Sequence, residues 1–403
     1  MDFEKIASTY GTPCFVYDFD NISKKYDELK MAFKARKSLV CYAVKANSNL
    51  SLLQHLGNTG AGADCVSVGE IRRAICAGIK PYKIIFSGVG KKDSEIEFAL
   101  LQDILLVNIE SSQELICVEQ VAKKLGKKAR ISVRINPNID PKTHSYISTG
   151  LHENKFGVDI DEAKRLYIYV KSSKYLEPIG VHMHIGSQLT QLQPIRDAVA
   201  IVANLARNLK ALDIDIKFFD VGGGLAIKYT DEKLINMTDY SQMILDELHG
   251  LDVTIVAEPG RYIVGQSGYL LTKVLYEKTN ESKRFVIVDA AMNDFIRPAL
   301  YQEAHKINLY GKTTQGSLCS IVGPVCESGD FFAKNIKFPA TKSGDLVIIN
   351  DTGAYGYTMS SNYNTRGKAV QVAVQGGADR CISRAETFDD MIKLEIEFIK
   401  GVI

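Results

Sequence analysis

Lys45 closes the apolar run SLVCYAV (38–44), and His184 stands within IGVHMHI (179–185). Gly222, Gly223 and Gly224 follow IKFFDV (216–221), while Glu258 ends VTIVAE (253–258) with Pro259, Gly260 and Arg261 directly behind it. A lysine at the tip of an apolar strand loses solvation, which favours the neutral amine that condenses with an aldehyde. Consecutive glycines let backbone N–H groups approach a phosphate without side-chain obstruction. Arg261 can add a charge-assisted contact to the same phosphate. Glu258 can hydrogen-bond a protonated pyridine nitrogen, and the flat imidazole of His184 can stack on the ring. Taken singly, each has an ordinary alternative: a surface lysine, a tight turn, an ion-paired carboxylate, a core histidine. Together they are the parts that a pyridoxal phosphate (PLP) site requires. No GxGxxG pattern suggests a dinucleotide.

The elements that must position these residues follow one rhythm. The runs already named are joined by ADCVSV (63–68), KIIFSG (83–88), ILLVNI (104–109) and RISVRI (130–135), making eight apolar, β-branched segments between residues 38 and 258. Between them, 69–80, 92–103, 111–126 and 194–212 place apolar residues three and four apart, as amphipathic helices do. The third of these opens with Ser111 and Glu114 at capping-box spacing and closes on Gly126. Near-continuous apolar strands alternating with one-sided helices predict a parallel sheet, and eight units match an α/β (β/α)8 TIM barrel. A doubly wound open sheet is the competing arrangement. Residues 137–157 are long for a strand-to-helix loop, so an active-site or interface segment is expected there. Beyond about residue 265, KRFVIVDA, GSLCSIVGP, GDLVIINDTGAY and KAVQVAVQ read as strands of an all-β domain, a sandwich or small barrel. The early run CFVYDF (14–19) is expected to join it. The domains expected are therefore a barrel over residues 30–265 and a β domain made of 1–29 and 266–403.

Composition narrows the function classes. With 49 Lys+Arg against 47 Asp+Glu in 403 residues, there is no cationic surplus of the kind that nucleic-acid binding needs. No apolar run reaches the ~18 residues of a membrane span. The amino terminus MDFEKIASTYG lacks the layout of a secretory signal, so a cytosolic protein is expected. The eight cysteines, at 14, 41, 65, 76, 117, 319, 326 and 381, include no zinc-type pair, and most are expected to be small buried hydrophobes.

The segments TPCFVYD (12–18), CYAVKAN (41–47), HIGSQ (184–188), DVGGGL (220–225), AEPGR (257–261), CESGD (326–330) and GAYGY (353–357) span nearly the whole chain. In these the sequence resembles the fold-type III PLP-dependent decarboxylases, and among them the branch acting on diaminopimelate. The resemblance implies that Lys45 carries PLP and that His184 stacks on its ring. By the same resemblance Ser187, Gly222, Gly223, Gly224, Gly260 and Arg261 hold the phosphate, and Glu258 keeps the ring nitrogen protonated. It further implies an obligate homodimer with shared sites, in which Cys326 of the neighbouring subunit is the proton donor and Glu327 binds the distal ammonium of the substrate. Arg297 and Tyr301, in NDFIRPALY (293–301), resemble a substrate-binding segment, with Arg261 also expected at the substrate, and Tyr355 resembles a tyrosine touching both cofactor and substrate. One departure is SVGE at 67–70, where a second glycine is expected near Val68.

The activity implied is decarboxylation of meso-2,6-diaminopimelate to L-lysine and CO2, the last step of lysine biosynthesis. A related decarboxylase acting on ornithine, arginine or carboxynorspermidine is the first alternative. Ornithine carries only an ammonium at its far end and would need no arginine such as Arg297. An alanine racemase-like isomerase would want a tyrosine acid where Cys326 stands. A non-catalytic PLP-binding homologue would be expected to lack Lys45 or Cys326.

Overall fold

The computed structural model describes residues 1–140, 154–312 and 316–399. Residues 141–153, the greater part of the long segment after the fifth barrel strand, lie outside them. The chain forms two compact units, one of residues 23–227 with 232–263 and one of residues 1–22, 228–231 and 264–403.

Strand β1 (Cys14–Asp18) comes first in the chain and belongs to the second unit. The first unit is a closed parallel barrel of β2 (Ser38–Ala43), β3 (Gly62–Cys65), β4 (Ile84–Phe86), β5 (Leu106–Ile109), β6 (Ala129–Ile135), β7 (Leu176–Met183), β8 (Phe218–Asp220) and β9 (Thr254–Ala257). Closure is made where Val40 of β2 pairs with Ala257 of β9. Cys41 of β2, Ile85 of β4, Leu106 of β5, Ile179 of β7 and Val256 of β9 pack together, each nearly or fully buried. At roughly 1.5–3 kcal/mol per large apolar side chain, such layers are the main stabilising term of the barrel. The expected helix after residue 111 runs Ser112–Leu125, with the Ser111 Oγ accepting from the Glu114 N–H and Gly126 left-handed at φ +62°. Glu114 does not reach back to Ser111. Its carboxylate accepts instead from the Glu110 N–H at 2.8 Å and pairs with buried Lys91 at 2.5 Å.

Several expected boundaries move. The run ADCVSV is strand only to Cys65, because Ser67 caps a helix that begins at Val68. Ser67 Oγ accepts from the Glu70 N–H as the helix N-cap, and Glu70 accepts in turn from the Val66 N–H one residue further back, so SVGE starts the helix and Val68 needs no glycine. Helices Phe3–Tyr10, Phe19–Ala32, Leu50–Asn58, Ile160–Ser172 and Met237–Glu247 stand outside the stretches read as helical.

The second unit holds β10 (Gly268–Asn280), β11 (Lys283–Val288), β12 (Ile307–Leu309), β13 (Ser317–Val322), β14 (Phe331–Phe338), β15 (Leu346–Asn350), β16 (Val370–Gln375) and β17 (Ala378–Ser383). Its nine-stranded sheet runs β14-β13-β11-β10-β1-β16-β17, with β15 branching from β10 and β12 pairing with β15. The expectation for CFVYDF holds: β1 lies antiparallel to β10 and parallel to β16. Cys14, Val16, Leu271, Ile348, Val370 and Val372 form the core on one face. GDLVIINDTGAY leaves the sheet after Asn350, and Tyr355 adopts the left-handed region at φ +55°. No helix of the described residues is long and apolar enough to cross a membrane. Four cysteines are buried (Cys14, Cys41, Cys65, Cys319), but Cys76, Cys326 and Cys381 are exposed and Cys117 is half-buried, so burial is a property of half of them.

Candidate active site

The carboxyl ends of the barrel strands deliver the polar residues to a cavity of about 330 Å³, lined by Lys45, Asp64, Ser87, Arg134, His182, His184 and Glu258 among others. Lys45 follows β2 on a single 3-10 turn, Val44–Ala46. Its Nζ lies 3.1 Å from Asp64 Oδ2 on β3, with the lysine side chain 40% exposed and the aspartate 1%. The desolvated amine expected from the sequence is thus replaced by a part-exposed amine held on a buried carboxylate.

Glu258 ends β9 and is buried. Burial alone would raise its pKa, but His182, whose Nε2 lies 3.3 Å from Oε2, together with Lys45 and Asp220, lowers it to about 2. Glu258 is therefore ionised, while its Oε1 has no hydrogen-bond partner among the described residues. A buried acceptor left open costs roughly 1–3 kcal/mol unless a donor reaches it, and the N–H of a pyridinium is such a donor. Asp64 and Asp220 go the other way, raised first by burial and then by the charge on Glu258.

His184 is held well below its ordinary pKa by desolvation first, then by the cations of Arg134 and Lys45. The Gly223 N–H donates to its Nδ1 at 3.3 Å, which places the proton of the neutral ring on Nε2. Arg134 on β6 is fixed by Glu110 at 3.0 Å and donates to the carbonyl of His184 at 3.4 Å. Glu110 stays ionised because Arg134 and His182 outweigh its desolvation.

The glycine loop is built tightly. The Glu258 N–H donates to Gly222 O at 2.8 Å, and the Leu189 N–H donates to Gly224 O at 2.8 Å. Gly222 and Gly224 are left-handed, at φ +69° and +107°, and a Cβ on Gly223 or Gly224 would collide with the carbonyl of Glu258 or Gly186. Gly260 packs against Ala43 and Ala46 at 3.2 and 3.0 Å from where its Cβ would stand. Arg261 Nη2 donates to Ser187 Oγ at 3.3 Å, bringing those two together beside the loop. Glycines, a hydroxyl and a guanidinium in one place, with an open carboxylate oxygen nearby, fit PLP. Gly224→Ala is expected to cost about 1–3 kcal/mol in backbone strain alone. The clash with Gly186 adds to this, so thermal unfolding should fall and PLP affinity, by equilibrium dialysis, should drop at least about tenfold.

In the β unit, Arg297 is 1% exposed rather than a surface cation. It pairs with Glu303, and its guanidinium lies over the rings of Tyr301, Tyr229 and Tyr355 at 5.2, 5.7 and 5.9 Å. Arg297, Tyr301 and Tyr355 are thus one group. Cys326 and Glu327 lie on an exposed turn. Asp330 pins that turn by accepting from the Val325 and Met292 N–H groups, both at 2.7 Å. The Cys326 N–H donates to Asn364 Oδ1 at 3.0 Å, and Glu327 accepts from the Tyr363 hydroxyl.

The sequence reading passed over Asp64, Ser87, Arg134, His182 and Asp220, all buried and polar. Their signal was available: each is a polar residue at or near the end of an otherwise apolar barrel strand, the criterion that found His184 and Glu258.

A parallel barrel that ends in a strand-tip lysine, a buried ionised carboxylate and a glycine cradle defines a PLP-binding enzyme. The family "Pyridoxal-dependent decarboxylase, pyridoxal binding domain" matches residues 19–265. The chain is 57% identical over 402 residues to diaminopimelate decarboxylase of Campylobacter jejuni and 54% identical over 404 residues to that of Helicobacter pylori strain J99, covering 100% of each chain in both cases. The crystal structure of diaminopimelate decarboxylase from Helicobacter pylori complexed with L-lysine superposes with a TM-score of 0.96 at 53% identity, covering 99% of this chain and 100% of that one. The chain belongs to the pyridoxal-dependent decarboxylases, in the diaminopimelate decarboxylase branch. PLP is its cofactor.

Proposed function

We propose that the protein removes the carboxylate from the D centre of meso-2,6-diaminopimelate, giving L-lysine and CO2 as the last step of lysine biosynthesis, in the cytoplasm. Arg297 carries the substrate assignment: a buried guanidinium suits a substrate with a carboxylate at its distal end, which ornithine lacks. Its five N–H donors are enough for Glu303 and a substrate carboxylate together. Full-length similarity to diaminopimelate decarboxylases supports the same reading over decarboxylation of ornithine, arginine or carboxynorspermidine.

Bound PLP supplies an electron sink for the bond to the departing carboxylate. The protein does the rest. Lys45 would hold the cofactor through its Nζ amine. Gly222, Gly223, Gly224, Ser187, Gly260 and Arg261 hold the phosphate, with Arg261 also near the substrate. Neutral His184 covers the ring, and ionised Glu258 accepts from the ring nitrogen and keeps it protonated. Arg297 and Tyr301 bind the distal carboxylate end, Glu327 binds the distal ammonium, and Tyr355 touches cofactor and substrate. Cys326 gives its thiol proton to the carbon that has lost CO2, and solvent returns a proton to the thiolate. The proposal includes a homodimer in which Cys326 and Glu327 serve the neighbouring subunit's site, with residues 30–265 as the PLP domain and 1–29 with 266–403 as the β domain.

Incubation with PLP and meso-diaminopimelate is expected to release equimolar lysine and CO2. Faster CO2 release from ornithine, arginine or carboxynorspermidine would overturn the substrate assignment. Arg297→Met should raise KM for diaminopimelate by about 10- to 100-fold, the worth of a charge-assisted hydrogen bond, without changing the absorption of bound PLP.

A further inference from the structure

Asp220 ends β8, is 3% exposed, and takes part in both halves of the cofactor site. Its Oδ1 accepts from the Gly222 N–H at 2.8 Å, fixing the first residue of the glycine loop. One side-chain nitrogen or oxygen of each of Asp220, His182 and Glu258 lies within 4.8 Å of the others, and among the described residues no N–H or O–H donates to Asp220 Oδ2. The surroundings are crowded with acid: Glu258 from the end of β9 and Asp64 from β3. The basic side chains near Glu258 are His182 on β7 and Lys45, while Cys41 of β2 and Tyr240 of the helix Met237–Glu247 face Asp220 from the other sides. Three buried carboxyl groups served by one lysine and one histidine cannot all ionise in a low-dielectric interior, and the group without a basic partner of its own keeps the proton. Asp64 has Lys45 and Glu258 has His182. Asp220 has neither.

We propose that Asp220 is a positioning residue that remains a neutral carboxylic acid, donating from Oδ2 to Glu258 while Oδ1 holds the glycine loop, so that one side chain sets both ends of the cofactor. The proposal rests on the reading of Glu258 as the partner of the ring nitrogen. Its consequence is specific. Asparagine has the same shape, accepts through Oδ1 and donates through Nδ2, so it reproduces both bonds of a neutral aspartic acid. Leucine has the shape and neither bond. An ionised aspartate could not be replaced by asparagine without removing a charge.

The test compares wild type, Asp220→Asn and Asp220→Leu by infrared spectroscopy, PLP binding and steady-state kinetics. At neutral pH the wild-type spectrum is expected to contain a protonated-carboxyl C=O stretch, shifted in D2O, that is absent from Asp220→Asn with and without PLP. Asp220→Asn should keep PLP affinity and kcat within about threefold of wild type, whereas Asp220→Leu should lose about 10- to 100-fold in PLP affinity. Asp220→Leu should also shift the pH dependence of the bound cofactor's absorption, which a purely structural defect would leave in place. No difference in the carboxyl band, or equal losses in the two variants, overturns the proposal. If wild type fails to bind PLP, the reading of the site has failed, while the infrared comparison still decides whether Asp220 carries a proton.

Discussion

Lys45→Ala is expected to lower decarboxylation at least ~10³-fold and to abolish the visible absorption of the lysine-bound cofactor. Both effects follow from the position of one amine. Lys45 is placed by a short turn directly after β2 and steered by Asp64 at 3.1 Å, at the wall of the cavity that also contains Glu258 and His184. The glycine loop, Ser187 and Arg261 do not depend on Lys45, so PLP should still bind, more weakly and reversibly. The side chain is 40% exposed, so stability should change by less than about 1 kcal/mol. Ultraviolet-visible spectra and lysine release measured on the same sample check the prediction. Retained turnover would sink the assignment of Lys45.

Cys326→Ala is expected to leave PLP absorption intact while reducing kcat by about 10²- to 10⁴-fold, the usual worth of a positioned general acid. The thiol is exposed on a turn held by Asp330 and Asn364 through backbone N–H groups, not through the sulfur. Removing the sulfur therefore leaves the turn in place and the fold unchanged. Mixing Cys326→Ala with Lys45→Ala separates a shared site from a self-contained one. If Cys326 serves the neighbouring subunit, a mixed dimer has one site with both residues, and statistical mixing of equal amounts should recover about one quarter of wild-type activity. If each chain used its own cysteine, every site in the mixture would lack one residue. Absence of recovery in a dimer proven to be mixed counts against sharing.

The barrel was legible because its strands are buried on both faces and therefore read as unbroken apolar runs. Helix Ser112–Leu125 was legible because Ser111 and Gly126 mark its ends. Met237–Glu247 was not. Its first residues, MTDYSQ, mix polar and apolar side chains without a clear stripe, and its stability comes from burying Tyr240, Met243 and Ile244 after the chain has folded. Among the site residues, Glu258 and His184 declared themselves by type and place. Arg297 was harder, since nothing local distinguishes a surface arginine from one buried under tyrosines distant in sequence, such as Tyr229 and Tyr355. Asp64 and Asp220 were hidden for a different reason: each is an acid inside an apolar strand, and only the surrounding carboxyls and cations give it meaning. The N-cap at Ser67, with Glu70 accepting from the Val66 N–H, explains the departure at Val68 as a local solution to helix initiation.

The placement of β1 between β10 and β16 also sets an order of events during synthesis. The Tyr17 hydroxyl donates to Gln371, a partner 354 residues later in the chain. The barrel's own strands are complete once Ala257 has left the ribosome, whereas the first strand, paired by β10 on one edge, must wait for β16 before its second edge is covered. Long-range pairing of this kind is slow, because its loop-closure entropy is met before any contact compensates it. The strand CFVYD is apolar, and the edge that β16 covers stays open until those residues have been made. Newly made chains therefore carry a temporary adhesive edge, and the yield of active enzyme in a cell should depend on how rapidly the final hundred or so residues emerge and on the chaperones present while they do.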